Sequence, residues 1–217
     1  MPRSDPGSLL AAAPVVPVLA IDSVADALPL ARALVGGGLP VLEITLRTSV
    51  ALAAIEAIAA EVDGAVVGAG TVLTPEQYHA VERAGAQFVV SPGATGPLLD
   101  CAKHSETPFL PGAATASEVM RLLDLDYRFL KFFPAEPAGG IAYLKALAGP
   151  LPAARFCPTG GIDAERAGAY LALPNVICVG GSWVAPAEAI AAGDWSRITE
   201  LARNAAALSA CRQGGTL

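Results

Sequence analysis

The chain has 217 residues, of which 53% are hydrophobic and 16% charged, with a net charge of −6. Soluble domains carry roughly 25% charged residues, so this chain has more apolar surface than usual to hide in a large core or in subunit contacts. The acidic balance gives no nucleic-acid footprint, although an acidic protein can still hold an anionic metabolite at a local site.

Taken from the N-terminus, "MPRSDPGSLLAAAP" carries Asp5 and several prolines around a very short apolar run. It does not read as a signal peptide, and residues 1–13 are expected to be a flexible tail. Short β-rich runs then recur: Val15–Ala20, Val41–Leu46, Ala65–Gly70, Gln87–Pro92, Pro108–Ala113, Phe129–Pro134, Arg155–Gly160 and Val176–Gly181. Their starts fall 21 to 26 residues apart. Alanine- and leucine-rich segments with helical spacing lie between them, such as Val24–Val35, Val50–Ala60, Pro75–Ala84 and Ser117–Leu123. Ser23, Ser49, Thr74 and Asp163 stand where N-caps are expected. Asp194–Arg212 reads as a closing helix, with 213–217 as a frayed tail.

Strands alternating with helices at this beat predict parallel β/α units. Eight units in this length predict a single (β/α)8 barrel domain spanning 1–217. The alternative is an open, doubly wound sheet, but no GxGxxG follows the first strand. The longest uncharged stretch, Ala167–Ala187, contains Pro174, Asn175, Gly180, Gly181 and Pro186. Such punctuation predicts turn, strand and loop, with no membrane span. The cysteines Cys101, Cys157, Cys178 and Cys211 form no CxxC pair, which fits reduced thiols and a cytoplasmic protein.

Parallel strands covered on both faces should be continuously apolar, so polar interruptions carry information. In "VLEITLRT", period two groups Val41, Glu43, Thr45 and Arg47 against Leu42, Ile44 and Leu46. The polar set must then line the barrel interior. Thr71 closes "VGAGT" and Pro92 stands in "VVSPG", both at strand C-terminal ends, where barrel enzymes keep their sites. In "FLKFFP", Phe129, Lys131 and Phe133 share the inward face. Lys131 is one of three lysines and the only one in an apolar strand-like run. Two readings are open for it. Burial disfavours the charged form of an amine, and a neutral amine attacks a carbonyl to give a Schiff base. Alternatively Lys131 and Glu43 form a structural buried pair. In "RFCPTGG", Arg155, Cys157 and Thr159 share a face and Gly160–Gly161 follow; "VGGSW" adds Gly180, Gly181 and Ser182. Glycines after the seventh and eighth strands let backbone N–H groups approach a phosphate; plain turn chemistry is the other reading. His79 and His104 lie in helical segments, so no metal ligand set is expected.

The runs "GLPVLEITLRT", "VVGAGTVL", "AGAQFVVSPG", "FLKFFPAE", "RFCPTGGI" and "VGGSWVAP" resemble the 2-keto-3-deoxy-6-phosphogluconate (KDPG) and 4-hydroxy-2-oxoglutarate (KHG) aldolases from about Val15 to Ala206. The resemblance implies a class I aldolase that cleaves KDPG to pyruvate and glyceraldehyde 3-phosphate, as in the Entner–Doudoroff pathway. By it, Lys131 forms the Schiff base and Glu43 is the general acid/base. Arg47 and Thr71 hold the pyruvate carboxylate, and Pro92 and Phe133 pack around the keto acid. Thr159 sits by the substrate hydroxyls, while Gly160, Gly161, Gly181 and Ser182 bind phosphate. It also implies a homotrimer acting on a small phosphorylated keto acid, with no metal; no cofactor is expected, and the charge balance and punctuation above leave no nucleic-acid or membrane partner expected. Several relatives carry a basic residue just after the first strand; here the stretch is Ile21-Asp22-Ser23. Rival readings are the galactonate epimer or KHG as substrate, a barrel that binds or isomerises a sugar phosphate without covalent chemistry, and a structural or regulatory trimer.

Overall fold

The computed structural model describes residues 6–208. Helix α1 (Gly7–Ala11) precedes β1 (Val15–Leu19), and strands and helices then alternate. They are α2 (Val24–Gly36), β2 (Val41–Thr45), α3 (Ala51–Glu61), β3 (Val66–Gly70), α4 (Pro75–Arg83), β4 (Val89–Val90) and α5 (Gly96–Lys103). After β5 (Phe109–Leu110) and β6 (Gly112–Ala113) come α6 (Ala116–Asp124), β7 (Phe129–Phe132), α7 (Gly140–Ala148) and β8 (Arg155–Pro158). The described part ends with α8 (Ala164–Leu171), β9 (Val179–Gly181), α9 (Ala187–Ala191) and α10 (Trp195–Ala206).

Local chemistry sets the helix starts. Ser23, Thr74 and Asp163 each accept a hydrogen bond from a first-turn backbone N–H. Thr115 and Glu118 form a reciprocal capping box on α6. Ser49 does not cap: α3 starts after Val50 without a side-chain cap. In that turn it is Thr48 that is tied down, its hydroxyl donating to the Ile21 carbonyl at 2.6 Å.

All strand pairs are parallel. One sheet has the order β5-β4-β3-β2-β1-β9 and a second the order β6-β7-β8. Only Pro111 separates β5 from β6, and proline has no N–H to donate to a ladder. Isolated bridges, Phe156 with Val176 and Thr159 with Gly180, run between the β8 and β9 segments of chain. The result is a curled, largely parallel α/β sheet. The runs Gln87–Pro92 and Val176–Gly181 are the least filled by strand, holding β4 and β9, while Pro108–Ala113 is split into β5 and β6. Pro111 makes that split, and Val176 makes only an isolated bridge before β9 begins at Val179.

The apolar residues sort into two layers. Leu42, Ile44, Leu130 and Phe132 join the large cluster between sheet and helices. Val41, Val16, Val90, Leu110, Cys157 and Cys178 form a smaller cluster inside the curl. That alternation on β2 and β7 forces Glu43 and Lys131 inward, as period two predicts.

The expected flexible tail needs correction where it is described. Residues 7–11 are helical, and Gly7, Leu10 and Ala13 are buried. Leu10 belongs to the inner cluster, and Gly7 lies against the Phe129 ring with no room for a Cβ. The N-terminal mouth of the curl would otherwise expose apolar side chains, and "GSLLA" covers it. At the other end α10 runs Trp195–Ala206, capped by Asp194, and Ala207 and Leu208 tighten into a 3-10 turn; residues 209–212 of the expected helix, Cys211 among them, and the 213–217 tail lie outside the described residues. Leu10→Ala is expected to cost about 2–5 kcal/mol. Urea unfolding should show it as a lower midpoint with an unchanged slope.

Candidate active site

Glu43 stands mid-strand on β2, paired in register with Val18 on β1 and Gly68 on β3. Lys131 stands on β7, paired with Gly112 and Cys157. The two side chains cross the interior and meet. Lys131 Nζ donates to Glu43 Oε1 at 3.0 Å and lies 3.4 Å from Oε2. Both residues are buried, at 5% and 3% exposure. The pairing that the sequence left as one of two readings is therefore present, and it is also the geometry that lets a carboxylate take a proton from an ammonium. Phe133 supplies the aromatic neighbour, its ring centroid 5.6 Å from Nζ.

Backbone economy makes the room. A Cβ on Gly70 would overlap the Glu43 carboxylate, so β3 must end in glycine. Thr45, next inward on β2, is fixed by donating from Oγ1 to the Leu19 carbonyl at 2.8 Å. Thr71 follows Gly70 and is half-buried at the same rim. Pro92 is half-buried too; its carbonyl carbon and oxygen press on Gly112, the register partner of Lys131.

Above the pair opens a pocket of about 540 Å³. Thr45, Arg47 and Phe133 form one part of its wall. Thr159, Gly160, Gly161, Gly180, Gly181 and Ser182 form another. Lys131, Glu43, Thr71 and Pro92 are not on that wall: the pair lies one inward step below Thr45 and Phe133. Arg47 is exposed, and it is the one basic residue on the wall. Ala20 lines the pocket just before Ile21-Asp22, so no cation comes from the first βα turn there.

The glycine turn has the conformation an anion site needs. Gly160 and Gly161 have φ of +104° and +79°, values open to glycine and strained for other residues. Among the described residues, no protein acceptor meets the N–H groups of Gly160, Gly161 or Ile162. Ile162 is buried, Gly160 half-buried and Gly161 exposed; all three line the pocket, and successive N–H groups left open beside a cavity are suited to an anion's oxygens. Sequence reasoning missed Ile162 and Trp183, both on the wall. Trp183 stands directly after Ser182, and its ring packs on Gly181, leaving no space for a Cβ.

His79 and His104 lie away from this end. His79 contacts Glu82 at 3.0 Å and the Cys101 thiol at 3.6 Å on the α4–α5 face. Among the described residues, no three His, Cys, Asp or Glu side chains gather as a metal set.

The KDPG and KHG aldolase family model matches residues 7–201. The KHG/KDPG aldolase of Escherichia coli strain K12 is 54% identical over 198 residues, covering 91% of this chain and 93% of the relative. A Legionella pneumophila KDPG aldolase crystal structure, with pyruvate captured at low pH as a covalent carbinolamine, superposes with TM-score 0.91 at 51% identity. The match covers 93% of this chain and 98% of that one. The Zymomonas mobilis ZM4 aldolase with 3-phosphoglycerate gives TM-score 0.90 at 49% identity, covering 95% and 97%.

Removing one member of a buried ion pair leaves the other uncompensated, at about 3–5 kcal/mol. Lys131→Met is expected to lose stability in that range. Lys131→Met combined with Glu43→Met should recover most of it. A denaturant-based double-mutant cycle checks this through a coupling term that is large and favourable.

Proposed function

The chain belongs to the KDPG and KHG aldolase family, and from that premise we propose the division of labour by which it cleaves KDPG to pyruvate and glyceraldehyde 3-phosphate. The reaction is class I aldol cleavage through a Schiff base. One observation carries the assignment of roles: the buried 3.0 Å contact between Lys131 Nζ and Glu43 Oε1, below a pocket walled by open backbone N–H groups.

Glu43 accepts the ammonium proton and leaves Lys131 as a neutral amine. The amine adds to the C2 ketone; Glu43 returns its proton to the C2 oxygen, which leaves as water, so the carbinolamine becomes an iminium and Glu43 is again a carboxylate. The positive nitrogen draws electrons from the C3–C4 bond once Glu43, directly or through a water, removes the C4 hydroxyl proton. The bond breaks to the aldehyde and an enamine. Protonation at C3 and hydrolysis of the imine release pyruvate and restore the amine. General acid–base help of this kind contributes about 10²–10⁴-fold. The position of Glu43 between strands, with its carboxylate facing Gly70, supports both proton transfers by one group.

Arg47 and Thr71 hold the keto-acid carboxylate, for which a guanidinium fork gives two parallel hydrogen bonds. Pro92 and Phe133 pack against the bound keto acid, and Thr159 faces its hydroxyls. Gly160, Gly161, Gly181 and Ser182 receive the phosphate. With no cation in the Ile21-Asp22 turn, backbone N–H groups carry more of that grip than in relatives with a basic residue there. Phosphate binding away from the breaking bond orients the reacting carbons.

The same reading takes the two sheets as one closed (β/α)8 barrel and a single domain. The one-residue gap at Pro111 and the β8–β9 bridges support it. A homotrimer accounts for the apolar composition and for exposed Leu73, Met120 and Leu125. The chemistry needs no cofactor. A cytoplasmic setting fits the free thiols of Cys101, Cys157 and Cys178; no helix among the described residues is long and apolar enough to cross a membrane.

Borohydride reduction with pyruvate is expected to add one reduced imine, mapped by peptide mass to Lys131; an adduct elsewhere, or none, rejects the role. Lys131→Ala should abolish cleavage with the fold retained by circular dichroism. Glu43→Gln should slow proton exchange at pyruvate C3 about a hundredfold or more; unchanged exchange removes Glu43 from the mechanism. Turnover of KDPG should exceed that of the galactonate epimer, and a tenfold advantage for the epimer would reverse the substrate assignment.

A further inference from the structure

One polar network adjoins the pocket without belonging to its wall. Glu136 lies five residues beyond Lys131 on the same segment. Its Oε1 accepts a hydrogen bond from the hydroxyl of Tyr170, a fully buried side chain on α8. Its Oε2 is 3.8 Å from Arg166 Nη1. Arg166 in turn donates to the Gly161 carbonyl at 3.0 Å. The backbones are joined as well: Ala135 N–H donates to the Thr159 carbonyl at 2.8 Å and Glu136 N–H to the Gly160 carbonyl at 3.1 Å.

The stem of Glu136 also shapes the turn. A Cβ on Gly161 would lie 2.8 Å from both Cβ and Cγ of Glu136. Gly161 therefore sits flush against that side chain. In a trans peptide the carbonyl and the next N–H point in opposite directions. With its carbonyl held by Arg166, Gly161 turns the Ile162 N–H away from Arg166, on a stretch of chain that walls the pocket. Burial, and then the bond to Glu136, pushes the Tyr170 phenol well above its ordinary range, so it remains a donor.

We propose that Glu136, acting through Tyr170 and Arg166, is a positioning residue that holds the Thr159–Gly161 turn at a fixed place relative to the strand carrying Lys131. It touches neither the reacting carbons nor the phosphate. It sets the span between the imine-forming nitrogen and the N–H groups that grip the anion, so that phosphate binding aligns C2 to C4 over Lys131. This rests on the roles given above to Lys131 and to the glycine turn.

The test separates the two ends of the substrate. Glu136→Gln keeps the shape and removes the charge; Tyr170→Phe keeps the packing and removes the donor. For both, kcat/KM on KDPG is expected to fall about tenfold or more, with kcat lowered as well as KM raised, because a displaced anion grip loses alignment of the reacting carbons together with binding. Competitive inhibition by inorganic phosphate should weaken in parallel. Proton exchange at pyruvate C3 and borohydride trapping of pyruvate on Lys131, which use no phosphate, should stay within about twofold of wild type. If exchange and KDPG cleavage fall by the same factor, the network is general scaffolding and the proposal fails. If neither variant changes the KDPG constants, it fails too. Wild-type protein that does not trap pyruvate on Lys131 would overturn the underlying assignment, a result distinct from both.

Discussion

The structure is organised around one buried ion pair. Desolvating an ammonium and a carboxylate is expensive, and their attraction repays it only when the geometry is good. Here neither charge has an escape to water: Lys131 and Glu43 are 5% and 3% exposed and 3.0 Å apart. Residues around them are chosen for what they leave out. Gly70 lacks the Cβ that would strike the carboxylate, and Gly112 lacks the one that would strike Pro92 beside Lys131. A pair held this tightly has its proton acceptor already in place when a ketone arrives. Under the roles proposed, the structural pair and the reactive amine are one arrangement before and after proton transfer.

Under the roles proposed, the pocket above holds the substrate's second charge in a different way. The buried end relies on one ionised pair, whereas the outer end presents backbone N–H groups on left-handed glycines, with Arg47 as the single cation on the wall. Backbone donors are fixed by the chain and cannot swing to another partner. That makes their placement matter more than their number, and it explains why a network one layer out, through Arg166 and Glu136, attaches to the glycine turn.

The sequence made the inner layer legible because strand alternation is strict. Val41, Glu43 and Thr45 against Leu42 and Ile44 leaves no choice of face, and the same holds for Lys131 between Leu130 and Phe132. Ser23, Thr74 and Asp163 were readable as caps since a short polar side chain before an apolar helix has few other uses. Ser49 misled because capping depends on where the preceding turn releases the chain. Helix α1 was hidden: "GSLLA" is too short to show a period, and its burial arises only from the mouth it covers. The link from Glu136 to Tyr170 spans 34 positions, and nothing local in "FPAEP" announces it.

That covered mouth has a kinetic meaning. Helix α1 packs Gly7 and Leu10 on the Phe129 side of the curl, while the pocket walled by Arg47, Phe133, the glycine turn and Ser182 offers a doorway on the other side of the ion pair. Under the roles proposed, the phosphorylated aldehyde lies nearer the doorway and the three-carbon acid lies deeper, bonded to nitrogen. Departure is then obligatorily sequential, aldehyde first and acid second, and synthesis in the reverse direction loads them in the opposite order.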